Sequence, residues 1–323
     1  LLLAAKQNDK TFRKLHTLVV DEWHELLGSK RAVQMELALS RLRGRNPGLR
    51  TWGISATIGN MEEALEVLLG PNFPEAKKTM IRSGSRKNII VESVLPDSVE
   101  VLPWAGHLGI KMLEKVIPII EASESTLIFT NTRSQSEIWY QRILDVAPDL
   151  AGLMAMHHGS ISKELRNWVE DALYTGQLKA VVCTSSLDLG VDFRPVETII
   201  QVGSPKGVAR FMQRAGRSGH QPGATSKIYF VPTHSLELVE AAALREAIKE
   251  ELVEERMPYL RSFDVLNQYL VTLAVGDGFY PEEILPEIRN TFSYESISDT
   301  EWLWCLKFIC DGGESLESYD EYH

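Results

Sequence analysis

The chain has 323 residues, 44% hydrophobic and 24% charged, ordinary proportions for a globular protein with room for two or three domains. A formal net charge of −10 argues against a protein that coats nucleic acid by bulk attraction, though not against a basic channel inside an acidic shell. Three cysteines, Cys183, Cys305 and Cys310, cannot form an even disulfide framework, and the last two lack zinc-knuckle spacing. No apolar run reaches the roughly 18 residues of a membrane span, and no signal-peptide pattern opens the chain. A cytoplasmic protein with buried thiols and no membrane partner is expected. The chain starts on Leu1 within an apolar segment, LLLAAK, and ends on ESYDEYH, so it reads as an internal fragment.

Strand-like apolar runs lie at 17–21, 50–57, 88–94, 126–132, 152–160, 179–186, 197–203 and 226–233. Helical periods lie between them at 31–43, 60–70, 134–147, 162–176 and 235–251. Strands alternating with helices of this length predict an α/β fold, with parallel sheets covered by helices on both faces. A Gly, Ser and basic stretch, RSGSRKN (82–88), reads as a linker. The expected domains are 1–84, a truncated sheet; 85–250, a complete one; and 251–323, where three helical stretches without β runs suggest the start of a winged helix.

The chemistry gathers at strand ends. VVDEWHELLGS (19–29) runs from β-branched residues into Asp21 and Glu22. Open α/β sheets keep their ligands at this carboxyl edge. ISAT follows, with Ser55 and Thr57. FTNTRSQSE carries Thr130, Asn131, Thr132 and Arg133 before an expected N-cap, Ser134. Hydroxyls, an amide and a helix N-terminus suit phosphates. HHGS supplies His158, Gly159 and Ser160, and TSSLDLGVDF supplies Thr184, Gly190 and Asp192. QRAGRSGH carries Gln213, Arg214 and Arg217 on a glycine-spaced backbone, read as a helix start. Each stretch also has a plain structural reading: a strand terminus for SAT, a helix cap for TNTRS, a satisfied histidine pair in a turn for HHGS. As an ordered set, carboxylates fit for Mg²⁺ in one half and arginines fit for phosphate in the other form the layout of phosphoryl transfer.

The set DEWH, SAT, FTNTRS, HHGS, TSSLDLGVDF and QRAGRSGH resembles a superfamily-two DEXH-box helicase. VVDEWHELLGSKR, PWAGHLG (103–109) and GSPKGVARFMQRAGRSGH (203–220) resemble the large-helicase-related (Lhr) family, nearest its ligase-associated branch. The resemblance implies two RecA-like domains, the first truncated, followed by the start of a winged helix. It also implies ATP and Mg²⁺ as cofactors and a motor on single-stranded DNA or a DNA/RNA hybrid, moving 3′-to-5′ in DNA repair with ligase or nuclease partners. By the same resemblance Asp21 holds the metal with Glu22, which is also the general base, and His24 couples the nucleotide to the nucleic acid with Ser55 and Thr57. Gln213, Arg214 and Arg217 serve catalysis, and Gly190, Asp192, Arg214 and Arg217 meet the nucleotide, Arg217 as the finger. Thr130, Asn131, Thr132, Arg133, His158, Gly159, Ser160 and Thr184 hold the tracking strand.

Two features depart from that pattern. His220 stands where many related helicases have a second arginine, and no G-x-x-x-x-G-K-[ST] phosphate loop occurs in the 323 residues, so this segment alone is expected not to hydrolyse ATP. An RNA-directed helicase of the same fold and a non-catalytic nucleic-acid-binding scaffold are the alternatives. Trp302 and Trp304, two apart on a helix, point to different sides, and one or both are expected in the core.

Overall fold

A computed structural model of the protein describes residues 12–56, 58–82, 89–96, 109–188, 196–219 and 226–313. Thr57, Gly190, Asp192, His220 and nearly all of PWAGHLG lie outside the described residues. The chain divides into two compact units, Leu1–Arg82 with Glu254–His323, and Ser83–Val253. Among the described residues no helix is long and apolar enough to cross a membrane.

In the first unit β1 (Thr17–Val20) pairs in parallel with β2 (Arg50–Gly53), Val20 opposite Gly53. β2 is shorter than the run expected over 50–57, because beyond Val20 its partner turns into the short helix α1 (Trp23–Leu26). Helices α2 (Lys30–Arg45) and α3 (Met61–Leu69) cover the strands. Val20, Trp23, Leu27, Ala32, Leu39, Ile58, Val67 and Leu68 form one core, and the Trp23 indole donates to the Ala64 carbonyl (2.9 Å).

The second unit is a six-stranded parallel sheet ordered β3-β8-β7-β4-β6-β5. Its strands are β3 (Ile89–Ser93), β4 (Thr126–Phe129), β5 (Met154–His157), β6 (Ala180–Cys183), β7 (Thr198–Val202) and β8 (Ser226–Val231). β4, β6 and β7 are buried along their whole length, as central parallel strands with both faces covered must be. The covering helices are α4 (Leu113–Ala122), α5 (Arg133–Val146), α6 (Lys163–Tyr174), α7 (Val208–Ala215) and α8 (Leu236–Lys249). One apolar cluster lies on each face of the sheet.

Two local expectations are corrected here. The N-cap of α5 is Thr132, not Ser134: the Thr132 hydroxyl accepts from the Gln135 N–H (3.1 Å). QRAGRSGH does not start a helix. Gln213, Arg214 and Ala215 end α7, whose apolar residues Val208, Phe211, Met212 and Ala215 recur at helical spacing, and Gly216 caps it.

The C-terminal part contributes α9 (Phe263–Val275), α10 (Pro281–Arg289), a 3₁₀ turn (Phe292–Tyr294) and α11 (Asp299–Asp311). A reciprocal Ser298–Glu301 capping box opens α11. These helices share a core with Val33 and Leu37 of α2.

Candidate nucleotide and nucleic-acid sites

Asp21 and Glu22 sit where β1 passes into α1. Asp21 is exposed, and one of its carboxylate oxygens accepts from the Glu22 N–H (2.9 Å). Glu22 has φ 50° and ψ 41°, a left-handed conformation that costs a residue with a side chain roughly 1–2 kcal/mol. Strain of this kind concentrates where a side chain must be aimed, and here it leaves the Glu22 side chain about 40% exposed. Nothing in the order of residues announces that conformation.

His24 is buried, and its Nδ1 accepts a hydrogen bond from the Ala56 N–H (3.1 Å). Burial lowers the imidazole below its ordinary value, against the pull of Glu25 and Glu22. An Nδ1 that accepts from a backbone N–H leaves the ring proton on Nε2, which lies 3.7 Å from Glu25. The Trp23 N–H donates to the Ile54 carbonyl (2.9 Å) and the Ile54 N–H to the Val20 carbonyl (2.8 Å). The DEWH turn and the strand end bearing Ser55 are thus laced together by three bonds. The Ser55 hydroxyl turns back to the Ala56 carbonyl (2.7 Å).

In the second unit, Phe129 stands in register with Cys183 and Gln201, and His157 with Cys183. The TNTR, HGS and TSS segments therefore leave the sheet along one edge. The order of connections reverses between β4 and β7, the point where open α/β sheets form a crevice. Asn131 bridges it, donating from Nδ2 to the Ser204 carbonyl (2.8 Å).

The segments divide between surface and interior. Thr132, Arg133, Gly159 and Ser160 are exposed and Thr184 half-buried. Arg133 also pairs with Glu137 (2.8 Å). Two expected contacts with the tracking strand are turned inward instead. Thr130 is fully buried, its hydroxyl donating to the Cys183 carbonyl (3.2 Å), so it continues the β4–β6 seam. His158 is buried 3.8 Å from Glu137. Its neighbour His157 is a pin between elements, with Nδ1 2.7 Å from the Ser186 hydroxyl and Nε2 3.1 Å from Glu170.

Arg214 also departs from expectation. It is 2% exposed, and its guanidinium is committed to the interior. Nε and Nη2 donate to the two carboxylate oxygens of buried Asp188 (2.8 and 3.1 Å), and Nη1 donates to the Gln201 side-chain oxygen (2.6 Å). The Phe129 ring lies 4.7 Å beneath it. A cation this deep needs a partner of opposite charge, and Asp188 supplies it, so Arg214 in this structure is a core residue and not a presented phosphate ligand. Asp188 is not among the residues the sequence points to; in the same stretch that expectation falls on Asp192. Arg217 is half-buried, and its Nη2 and Nε donate to the Asp188 main-chain carbonyl (2.7 and 3.2 Å). Asp188 thereby anchors one arginine by its side chain and seats the other by its backbone. Gln213 is half-buried at the end of α7.

Three family descriptions match successive parts of the chain. Residues 1–64 match the DEAD/DEAH box helicase, 109–221 the helicase conserved C-terminal domain, and 246–323 the winged helix domain of large helicase-related proteins. The ATP-dependent helicase Lhr-Core of Methanothermobacter thermautotrophicus is 32% identical over 327 residues, which cover 100% of this chain and 37% of that protein. The ATP-dependent helicase Lhr-Core protein 2 of Thermococcus barophilus is 30% identical, covering 100% of this chain and 38% of that protein. The chain thus spans less than two fifths of the length of these relatives. Among solved structures, that of Mycobacterium smegmatis helicase Lhr bound to ssDNA and AMP-PNP is similar with a TM-score of 0.84 at 28% identity, covering 95% of this chain and 40% of that one. With its α/β fold, parallel sheets and C-terminal winged helix domain, the chain belongs to the large-helicase-related family of superfamily-two helicases.

Proposed function

We propose that the protein containing this chain hydrolyses ATP to drive movement along single-stranded DNA. The observation that carries this reading is the His24–Ala56 hydrogen bond (3.1 Å). It ties the turn bearing Asp21 and Glu22 to the strand end bearing Ser55, so a shift at one is felt at the other. Asp21 and Glu22 fit a magnesium ion, which is held by one or two carboxylates and completes its shell with phosphates and water. Among the described residues no cluster of three or more His, Cys, Asp or Glu forms a closed cage, and none is needed for that ion. Bound Mg²⁺ would neutralise phosphate charge; Glu22 would orient and deprotonate the attacking water.

Arg217 takes the finger role that the family resemblance implies, and its guanidinium is seated by donation to the Asp188 main-chain carbonyl. Arg214 fixes the base of that loop through Asp188. Thr132, Arg133, Gly159, Ser160 and Thr184 would hold the strand by its phosphates, contacts that position without reading sequence. Thr57, Gly190 and Asp192 take the coupling and nucleotide roles that the family resemblance implies. The same resemblance supports 3′-to-5′ movement, action on DNA/RNA hybrids and work in DNA repair beside ligase or nuclease partners. The 323 residues by themselves, which contain no phosphate loop, are expected to lack turnover.

Glu22→Gln in the full-length protein tests the reading. ATP binding should persist while DNA-stimulated turnover drops by about 10² or more, the contribution of a positioned base. Undiminished turnover would refute the assignment, as it would if the motifs were only scaffold. Matched DNA and RNA strands compared as activators decide the substrate.

A further inference from the structure

Residues 252–262 have no regular secondary structure and lead into α9. From Glu254 onward this strap belongs to the first unit, and it is bonded to the loops that carry the site. The Gly59 N–H, just past SAT, donates to the Glu254 carbonyl (3.2 Å). Asn60 then grips Arg256 twice: its Nδ2 donates to the Arg256 carbonyl (3.1 Å) and its Oδ1 accepts from the Arg256 N–H (2.9 Å). On the other side of the strap, Gly28 ends the turn after α1 with φ +74°, where a Cβ would lie 3.2 Å from the Met257 carbonyl oxygen. The Arg256 charge also acts on buried His24.

The use made of Asn60 is unusual. It is the N-cap of α3, yet its side chain makes no capping bond. An N-cap asparagine ordinarily accepts from one of the helix's own orphan N–H groups. Here that acceptor is turned to the strap, and the amide makes a reciprocal pair with one residue's backbone, like a rung of a sheet. Helix α3 forgoes its cap, and the strap gains a fixed register against the SAT loop. The strap is also where the chain re-enters this unit after Val253, so displacement of that connection acts first on Gly59 and Asn60.

We propose that Asn60, through the strap Glu254–Met257, is a positioning residue for the His24–Ala56 connection, holding the loop after SAT taut so that nucleic-acid binding reaches the Asp21–Glu22 turn. The inference rests on the ATP-driven reading of that turn given above. Both bonds go to Arg256 backbone atoms, so the place to break the link is Asn60.

Asn60→Ala in the full-length protein removes both strap bonds, together with the Asn60–Glu63 side-chain hydrogen bond. The ratio of DNA-stimulated to unstimulated ATP turnover should fall roughly fivefold or more, the scale of a lost coupling, while the KM for ATP and the affinity for single-stranded DNA stay unchanged. Asn60→Asp keeps the acceptor and loses the donor, so it should lower the ratio less; it decides the matter alone if the alanine variant does not fold. If stimulated and unstimulated turnover fall together, leaving the ratio intact, Asn60 only stabilises the fold and the inference is overturned. Glu22→Gln, run alongside, separates the two readings. Turnover surviving that change sinks the reading of the turn itself, whereas a dead Glu22→Gln beside a fully coupled Asn60→Ala sinks the strap alone.

Discussion

The strongest structural demand in the second unit is the Asp188–Arg214 pair, and removing one half of it should have a large effect. Both side chains are buried, at 3% and 2% exposure, and two parallel bonds of 2.8 and 3.1 Å join them. Asp188→Ala would leave a guanidinium that cannot shed its proton at any working pH. Gln201 and the Phe129 ring remain to it, but neither carries opposite charge. Breaking a buried pair from one side costs about 3–5 kcal/mol, which for a unit of this size corresponds to a fall in Tm of roughly 6–20 °C. Because two compact units need not unfold together, hydrogen exchange of the β4, β6 and β7 amides is the cleaner assay: it reads the opening free energy of this sheet directly.

A double variant makes the argument sharper. Asp188→Leu with Arg214→Met replaces both charges by apolar groups of similar size, and should recover most of the stability lost in Asp188→Ala. The reasoning fails if Asp188→Ala lowers the opening free energy by less than about 1 kcal/mol, the size of an ordinary surface pair, or if the double variant is no better than the single. Asp188→Ala should also loosen Arg217, since the carbonyl that receives the Arg217 guanidinium belongs to the same residue.

Burial pushes Glu36 of α2 up to about 7, against the hydrogen bonds from Ser293 and the charge of Arg43. With its folded value raised above the unfolded one, the stability it contributes is full below about 4.5 and lost as pH rises through about 7. Glu36→Gln should flatten the pH dependence of first-unit unfolding in urea by about 3 kcal/mol across that window; parallel curves for the two proteins would contradict this. Trp302 lies in the C-terminal core at 5% exposure, so Trp302→Ala should cost about 3–5 kcal/mol. Trp304, 51% exposed and packed on Phe263 and Phe308, should cost no more than about 1.5 kcal/mol on the same change, and equal losses in thermal unfolding would show that the two indoles are not divided between core and surface.

The sheet of the second unit was readable because burial on both faces leaves runs such as TLIF and AVVC with no polar alternation. The DEWH turn was readable only as one member of an ordered set of motifs, because an acidic pair after a β-branched strand is by itself a common solvated cap. What escaped depended on partners remote in the chain. Asp188 and Asp192 stand in one stretch, and only Arg214, 26 residues on, makes Asp188 an interior residue. Thr130 and Thr132 differ by two positions, yet one seals the β4–β6 seam and the other caps α5. Residue type alone does not tell a hydroxyl that faces a ligand from one that closes a backbone gap. Asn60 was invisible for a related reason: an N-cap asparagine explains itself locally, and its real partner lies 196 residues away.

Helix α2 shows why the C-terminal helices are part of this unit's architecture and not an appendage to it. Its Ala32 and Leu39 pack with the strands and with Trp23 of the DEWH turn, while Val33 and Leu37 pack with α9, α10 and α11. Farther along the same stripe, the Ser40 hydroxyl donates to the Glu287 carbonyl (2.6 Å) and Arg41 pairs with the Glu287 carboxylate (3.1 Å). Glu36 takes two bonds from Ser293 (2.9 and 2.7 Å). A single helix therefore has the DEWH turn just before its start, the strand layer on one face and the C-terminal helical core on the other. Because close-packed interiors transmit strain and do not absorb it, displacement of the C-terminal helices must either reach the DEWH turn through α2 or break the Glu36 and Glu287 contacts. The second route means stripping a buried carboxyl of its partners. That cost favours the first, and it ties the C-terminal helices through α2 to the DEWH turn.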